Sequence, residues 1–218
     1  MVELLKKLCE APGVSGDEGC VRDLIKEYVT PYADDIQIDR IGNLIAFKKG
    51  KSSNKKVMLA AHMDEVGFII SNINDDGMLK FRTVGGIDPR ILPSKRVRIG
   101  KNNIPGILGI KAIHLQEPDE RKNAVKVKQM YIDIGAKNKE QAQKVINLGD
   151  YAVFDSQFVE FGKNKVKAKA LDDRVGCAII AQLIKEELPF DLYACFTSQE
   201  EIGLRGAGVA AYNVQPDM

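Results

Sequence analysis

An α/β architecture with a doubly wound, mostly parallel sheet is what the sequence predicts, and three observations predict it. Residues 170–207 read as a helix returning to a buried strand. Val175, Cys177, Ala178, Ile179, Ile180, Leu183 and Ile184 recur at helical spacing, ahead of the apolar run Leu192-Tyr193-Ala194-Cys195-Phe196. Val57-Met58-Leu59-Ala60-Ala61 is short and continuously apolar, as a buried strand is. Between these segments the texture changes to frequent short β-type runs, the pattern of a small barrel or sandwich inserted into the α/β frame.

Taken in order, Leu4, Leu5 and Leu8 mark a short helix that Ala11-Pro12-Gly13 ends. Ser15 stands three residues before Glu18, the spacing of a capping box, and Val21, Leu24, Ile25, Tyr28 and Val29 form one apolar helical face. Ile36 and Ile38 alternate as a strand, Gly42-Asn43 turns the chain, and Leu44-Ile45-Ala46-Phe47 runs back. Residues 48–56 read as a solvated basic loop. The strand at 57–61 then delivers His62-Met63-Asp64-Glu65 at its end. Short β-type runs follow at 68–70, 79–81, 97–99, 107–110, 131–134 and 151–154, with one helix expected over 139–146. The expected organisation is an α/β domain of residues 1–66 plus 166–218, interrupted by a β-rich barrel domain at 67–165. After Glu201 a last helix begins, and residues 213–218 read as a loop leading to another strand. The chain is therefore expected to end short of a complete doubly wound sheet, whose apolar edge would lie uncovered.

Composition narrows the function classes. The 218 residues are 44% apolar and 28% charged, ordinary for a soluble globular protein. A net charge of +2 gives no strong attraction to nucleic acid or an anionic membrane. No apolar run approaches bilayer length, and the first seven residues read as an amphipathic helix instead of a signal peptide. Cys9, Cys20, Cys177 and Cys195 show no CxxC spacing, and Cys177 and Cys195 read as small buried hydrophobes, which fits a reducing cytoplasm.

Ligands in open α/β sheets sit beyond the carboxyl ends of strands, where His62, Asp64, Asp172, Glu200 and Glu201 would all fall. Each has a plain structural reading: a hydrogen-bonded strand-end histidine, a helix N-cap at Asp172 with Asp173 facing the dipole, and a solvated first turn at Glu200-Glu201. Taken together, the acids would repel one another unless cations shared the site. In His62-Met63-Asp64 the carboxylate can fix one ring nitrogen while the other binds metal. Imidazole and carboxylate ligands suit zinc or cobalt, with manganese also accommodated. A bridging carboxylate can hold two ions about 3.5–4 Å apart, and one outside the ligand set can act as general base. The other histidine, His114, reads as structural or surface.

Four motifs, Ala61-His62-Met63-Asp64-Glu65-Val66-Gly67, Val84-Gly85-Gly86-Ile87-Asp88-Pro89-Arg90, Ala170-Leu171-Asp172-Asp173-Arg174 and Gln199-Glu200-Glu201-Ile202-Gly203-Leu204-Arg205-Gly206-Ala207, resemble the tetrahedral di-metal aminopeptidase family. Its members are called glutamyl or deblocking aminopeptidases and are sometimes labelled endoglucanases. The resemblance runs the length of the chain and implies a zinc-peptidase-like catalytic domain and an inserted barrel that builds dimers, which assemble into a dodecamer. It implies His62 on one metal, Asp172 bridging two, Glu201 on the other, Glu200 as general base and Asp64 orienting His62. Family members continue past this point and supply one further acidic ligand and a final histidine. Weak metal binding and little activity are accordingly expected of this chain.

The expected function is metal-dependent removal of amino-terminal residues from peptides. Two alternatives stand beside it: glycoside hydrolysis, and an inactive fragment with only an assembly or interaction role. Glycosidases need neither an HxD pair nor a bridging acid.

Overall fold

The leucines at positions 4, 5 and 8 lie with Cys9 on the buried face of helix α1 (Val2–Glu10), which stops ahead of Pro12. The structure is a computed structural model, described here for every residue except 53 and 119–121. Helix α2 (Gly19–Val29) buries Val21, Ile25 and Val29. The capping box expected at its start does not form: Glu18 is the N-cap residue and no side chain caps the helix. Ser15 and Glu18 are buried and bonded elsewhere, to Asp64 and Gln199. Strands β1 (Asp35–Ile38) and β2 (Leu44–Lys48) form the antiparallel hairpin expected around Gly42-Asn43. Lys48 and Lys49 depart from the solvated reading, since their ammonium groups donate to the Ile184 carbonyl and to Asp191. Strand β3 (Lys56–His62) follows.

The chain forms two compact units, Met1–Glu65 with Gln157–Met218, and Val66–Ser156. In the second, strands β4 (Gly67–Ile73), β5 (Leu79–Val84), β6 (Arg96–Ile99), β7 (Ile104–Gly109), β8 (Tyr131–Asp133) and β9 (Tyr151–Phe154) close a barrel in the order β4-β5-β8-β7-β6-β9. Helix α3 (Lys139–Gln143) starts at Asn138, whose side chain accepts from the Gln141 amide, and it is shorter than the 139–146 expected. Phe68 meets Phe81 and Phe154 edge-on, with ring centroids 5.2 and 5.1 Å apart, inside an otherwise aliphatic core. The unit ends at Ser156, short of the boundary expected at 165.

A two-stranded hairpin, β10 (Val159–Phe161) and β11 (Lys165–Lys167), instead belongs to the first unit, because Phe158, Val166 and Ala168 pack into that unit's core. Helix α4 (Leu171–Leu183), strand β12 (Asp191–Thr197) and helix α5 (Arg205–Val214) complete it. Its sheet runs β1-β2-β12-β3. Alternation along the strands serves two layers. Leu44, Ala46, Leu192, Ala194 and Phe196 face α1, α2 and α4, whereas Ile45 and Cys195 face Ala210 and Val214 of α5.

Two expectations about this sheet are corrected. It is mixed, not mostly parallel: only β12 and β3 run parallel, because the β1–β2 hairpin brings β2 in antiparallel to both its neighbours. Strand β3 is also less buried than its apolar run implies. It lies at the edge of the four, with residues 57–59 half-buried and Ala60 exposed. On its outer side the Met58 amide donates to the Met218 carbonyl at 2.9 Å, and the Asp217 and Met218 amides donate to the Lys56 carbonyl.

Candidate metal centre

Because β3 and β12 run parallel with His62 opposite Thr197, residues 63–65 and 198–201 leave the sheet at the same end. Helix α4 is drawn to that end by Cys177, whose thiol donates to the His62 carbonyl at 3.2 Å. The start of α4 is not regular helix. Asp172 (φ −84°, ψ 110°) and Asp173 (φ −121°, ψ 40°) have non-helical backbones, and the peptide between them is cis. Asp173 supplies the cap, its Oδ1 accepting from the Gly176 amide at 3.0 Å. Asp172 is thereby spared that task, and its side chain is 91% exposed with Oδ1 3.1 Å from His62 Nε2.

The imidazole is the centre of the group. His62 Nδ1 donates to the Asp64 backbone carbonyl at 3.1 Å, with the Asp64 carboxylate at 3.5 Å beside it. A carbonyl only accepts, so Nδ1 carries the proton and Nε2 faces the carboxylates. Those are Asp172 at 3.1 Å and Glu200 at 3.8 Å. One donor atom each from His62, Glu200 and Glu201 lie within 4.8 Å of one another. Burial of the ring opposes its protonation, but Asp64, Asp172 and Glu200 outweigh it and push the histidine up to about 9. Glu201 is raised by burial, against the pull of His62, with Glu200, Asp64 and Asp172 adding to the rise.

Asp64 has no exposed surface. Its carboxylate accepts from the Ser15 hydroxyl at 2.6 Å and from the Glu200 and Glu201 amides at 3.0 and 3.1 Å. Burial penalises its charge, yet His62, Ser15 and those two amides together hold it below the usual carboxylate range.

Of the expected residues, the structure brings His62, Asp172, Glu200 and Glu201 around one point and sets Asp64 behind His62. Within this arrangement Glu200, expected outside the ligand set, belongs to the three-residue cluster with His62 and Glu201, and Asp172 meets His62 from outside it. The donor set, one imidazole nitrogen and several carboxylates aimed at it, fits a divalent cation such as zinc, cobalt or manganese. His114 is exposed in the barrel unit. Asp217 accepts from the Lys56 amide, away from this group.

Sequence reasoning missed the supports. Arg174 is fully buried and donates to the carbonyls of Leu8, Ala11 and Met63 and to Glu65 at 3.0 Å. Lys169 donates to the same Glu65 oxygen at 2.6 Å and to Ala11. Asn43, also without exposed surface, accepts from the Ser198 amide and donates to the Gly206 carbonyl, fixing the loop before Glu200 against the start of α5. A Cβ on Gly206 would lie 2.3 Å from the Ser198 carbonyl, so only glycine permits this approach. No local signal marked them: Lys169 follows Lys165 and Lys167, Arg174 follows Asp172 and Asp173, and Glu65 follows Asp64, so each reads as one more charge in a charged stretch.

Comparison with known proteins identifies the family of the chain. The M42 glutamyl aminopeptidase family matches residues 42–218. Lysyl aminopeptidase of Pyrococcus furiosus is 34% identical over 99% of the chain, which covers 64% of that protein. The crystal structure of a TET aminopeptidase from the marine sediment archaeon Thaumarchaeota archaeon SCGC AB-539-E09 superposes with a TM-score of 0.94 at 39% identity, covering 100% of this chain and 64% of that one. The Pyrococcus horikoshii TET1 peptidase, described as assembling into a tetrahedron or a large octahedral shell, gives 0.87 at 35%, covering 99% of this chain and 66% of its own. The chain thus spans slightly under two thirds of the length of these relatives. With four fifths of its residues matched by the family and its α/β unit and barrel both aligned to relatives, the chain belongs to the M42 glutamyl aminopeptidase family.

Proposed function

We propose that this chain carries the amino-terminal part of the active site of a di-metal aminopeptidase that removes residues from the free amino end of peptides. The observation that carries the reading is the convergence of Asp172 and Glu200 on His62 Nε2, with Glu201 in the same cluster and Asp64 behind the ring. His62 and Glu201 would each hold one ion and Asp172 would bridge them. Two ions of zinc, cobalt or manganese held there would polarise the scissile carbonyl and acidify water. Glu200 takes the proton of the attacking water and returns it to the leaving amine. Asp64 keeps the His62 Nδ1 proton in place, leaving Nε2 free for a cation.

The wider reading follows the relatives. The sheet belongs to a doubly wound, zinc-peptidase-like domain, the barrel carries dimer contacts, and dimers assemble to a dodecamer, as TET1 assembles into closed shells. Four free cysteines, three of them buried, fit a reducing cytoplasm, and no helix among the described residues is long and apolar enough to cross a membrane.

The test is a cobalt titration joined to hydrolysis of leucyl- and glutamyl-anilides, with cellulosic substrates as the contrast. In an enzyme of the relatives' full length, Glu200→Gln should keep cobalt binding and lower anilide turnover by about 10²–10⁴-fold, while Asp172→Asn should lose cobalt. Undiminished turnover in cobalt-loaded Glu200→Gln would remove Glu200 as base.

A further inference from the structure

We propose that Ser15 and Glu18, on the loop between α1 and α2, are positioning residues of the metal centre. This rests on the metal reading above and adds a part of the chain that the four site motifs leave out. Both side chains are buried, Ser15 at 3% exposure and Glu18 at 4%. Neither serves the helix it precedes.

Ser15 donates its hydroxyl to Asp64 Oδ2 at 2.6 Å, and that same oxygen accepts from the Glu201 amide. Glu18 Oε1 accepts from the Gln199 amide at 3.0 Å and from the Gly16 amide at 2.8 Å. Gln199 has a φ of +56°, a backbone region that costs a non-glycine residue energy and persists only when its surroundings impose it. Glu18 is one such constraint, and the Asn43 bond to Ser198 is another. The two buried side chains therefore grip successive amides: Gln199 through Glu18 directly, and Glu200 and Glu201 through Asp64, which Ser15 anchors. The side chains of Glu200 and Glu201 project from a backbone held on that side by residues some 180 positions earlier. Glu18 also closes its own loop through Gly16, so Ser15 and Glu18 are set as one piece.

The experiment uses the 218-residue chain with Ser15→Ala, Ser15→Thr, Glu18→Ala and Glu18→Gln. Two readouts are taken: amide hydrogen exchange at residues 199–201 and cobalt affinity by calorimetry. Each alanine variant should speed exchange at those amides by about ten- to a hundred-fold, with exchange in the barrel unchanged. Cobalt affinity should fall by about 10–100-fold, the usual effect of removing a group that orients a ligand. Ser15→Thr and Glu18→Gln keep a hydroxyl and an acceptor oxygen and should recover most of both. Uniformly faster exchange along the chain would mark a merely structural role and overturn the proposal, as would unchanged exchange at 199–201. Cobalt binding too weak to measure in the parent chain would accord with the weak binding expected of it, and the exchange data would then decide the positioning.

Discussion

The two units are built on opposite principles. Every buried polar or charged residue among the described residues lies in the first unit: Ser15, Glu18, Asn43, His62, Asp64, Glu65, Lys169, Arg174, Asp191, Thr197 and Ser198. The barrel buries only apolar side chains and glycines, with Phe68 at the meeting of three aromatic rings. Apolar burial is non-directional and tolerates slack, whereas a buried polar group is costly unless each partner stands in place. The first unit accepts that cost mostly around the end of β3, and the barrel has no reason to. A protein folding for stability alone would resemble the barrel throughout; the departure from it is the mark of a site.

The comparison breaks most directly at Arg174. Arg174→Ala strips a buried carboxylate of one of its two cations and leaves the Leu8 carbonyl without its guanidinium donor. A loss of about 3–5 kcal/mol in urea unfolding is expected, and a loss under about 1 kcal/mol would show that the polar network is not what holds this unit. In the barrel the expected vulnerability is volume. Leu108→Ala, in a fully packed position, should cost about 2–5 kcal/mol through the void it leaves, with cobalt binding by the other unit retained. The smallest effect sharpens the contrast. Asn138 caps α3 from an exposed position, so Asn138→Ala should cost about 1 kcal/mol. A much larger value would mean that polar contacts carry the barrel too.

Much of this was legible in the sequence, for identifiable reasons. The six barrel strands appear as short apolar runs between turn signals, because each β-type run is a local property. His62, Asp172 and Glu200 stand close because strand ends collect whatever the chain places just after them. Strand order within the barrel and the edge position of β3 were not legible, since both depend on pairings between distant segments. Ser15 and Glu18 were misread for an instructive reason. Their spacing satisfies a local rule, the capping box, and nothing nearby in sequence says that Asp64 and Gln199 compete for the same groups and win. The plain structural reading of Asp172 as the helix cap fails, because Asp173 makes that bond and Asp172 stands at His62 instead.

The long reach of the contacts around Asp64 also sets when the site can exist. Ser15 and Asp64 are 49 residues apart, His62 and Asp172 110, Asp64 and Glu200 136, and Leu8 and Arg174 166. Each barrel strand pairs within residues 66–156, so every residue of the barrel has been synthesised before Arg174 or Glu200 is added. At about 5–20 residues per second, the 136 residues from Asp64 to Glu200 take roughly 7–27 s. Asp64 lacks the Glu200 and Glu201 amides until the end of that interval, by which point every residue of the barrel has been made. The convergence of Asp172, Glu200 and Glu201 on His62 thus becomes possible only after every residue of the barrel has been made.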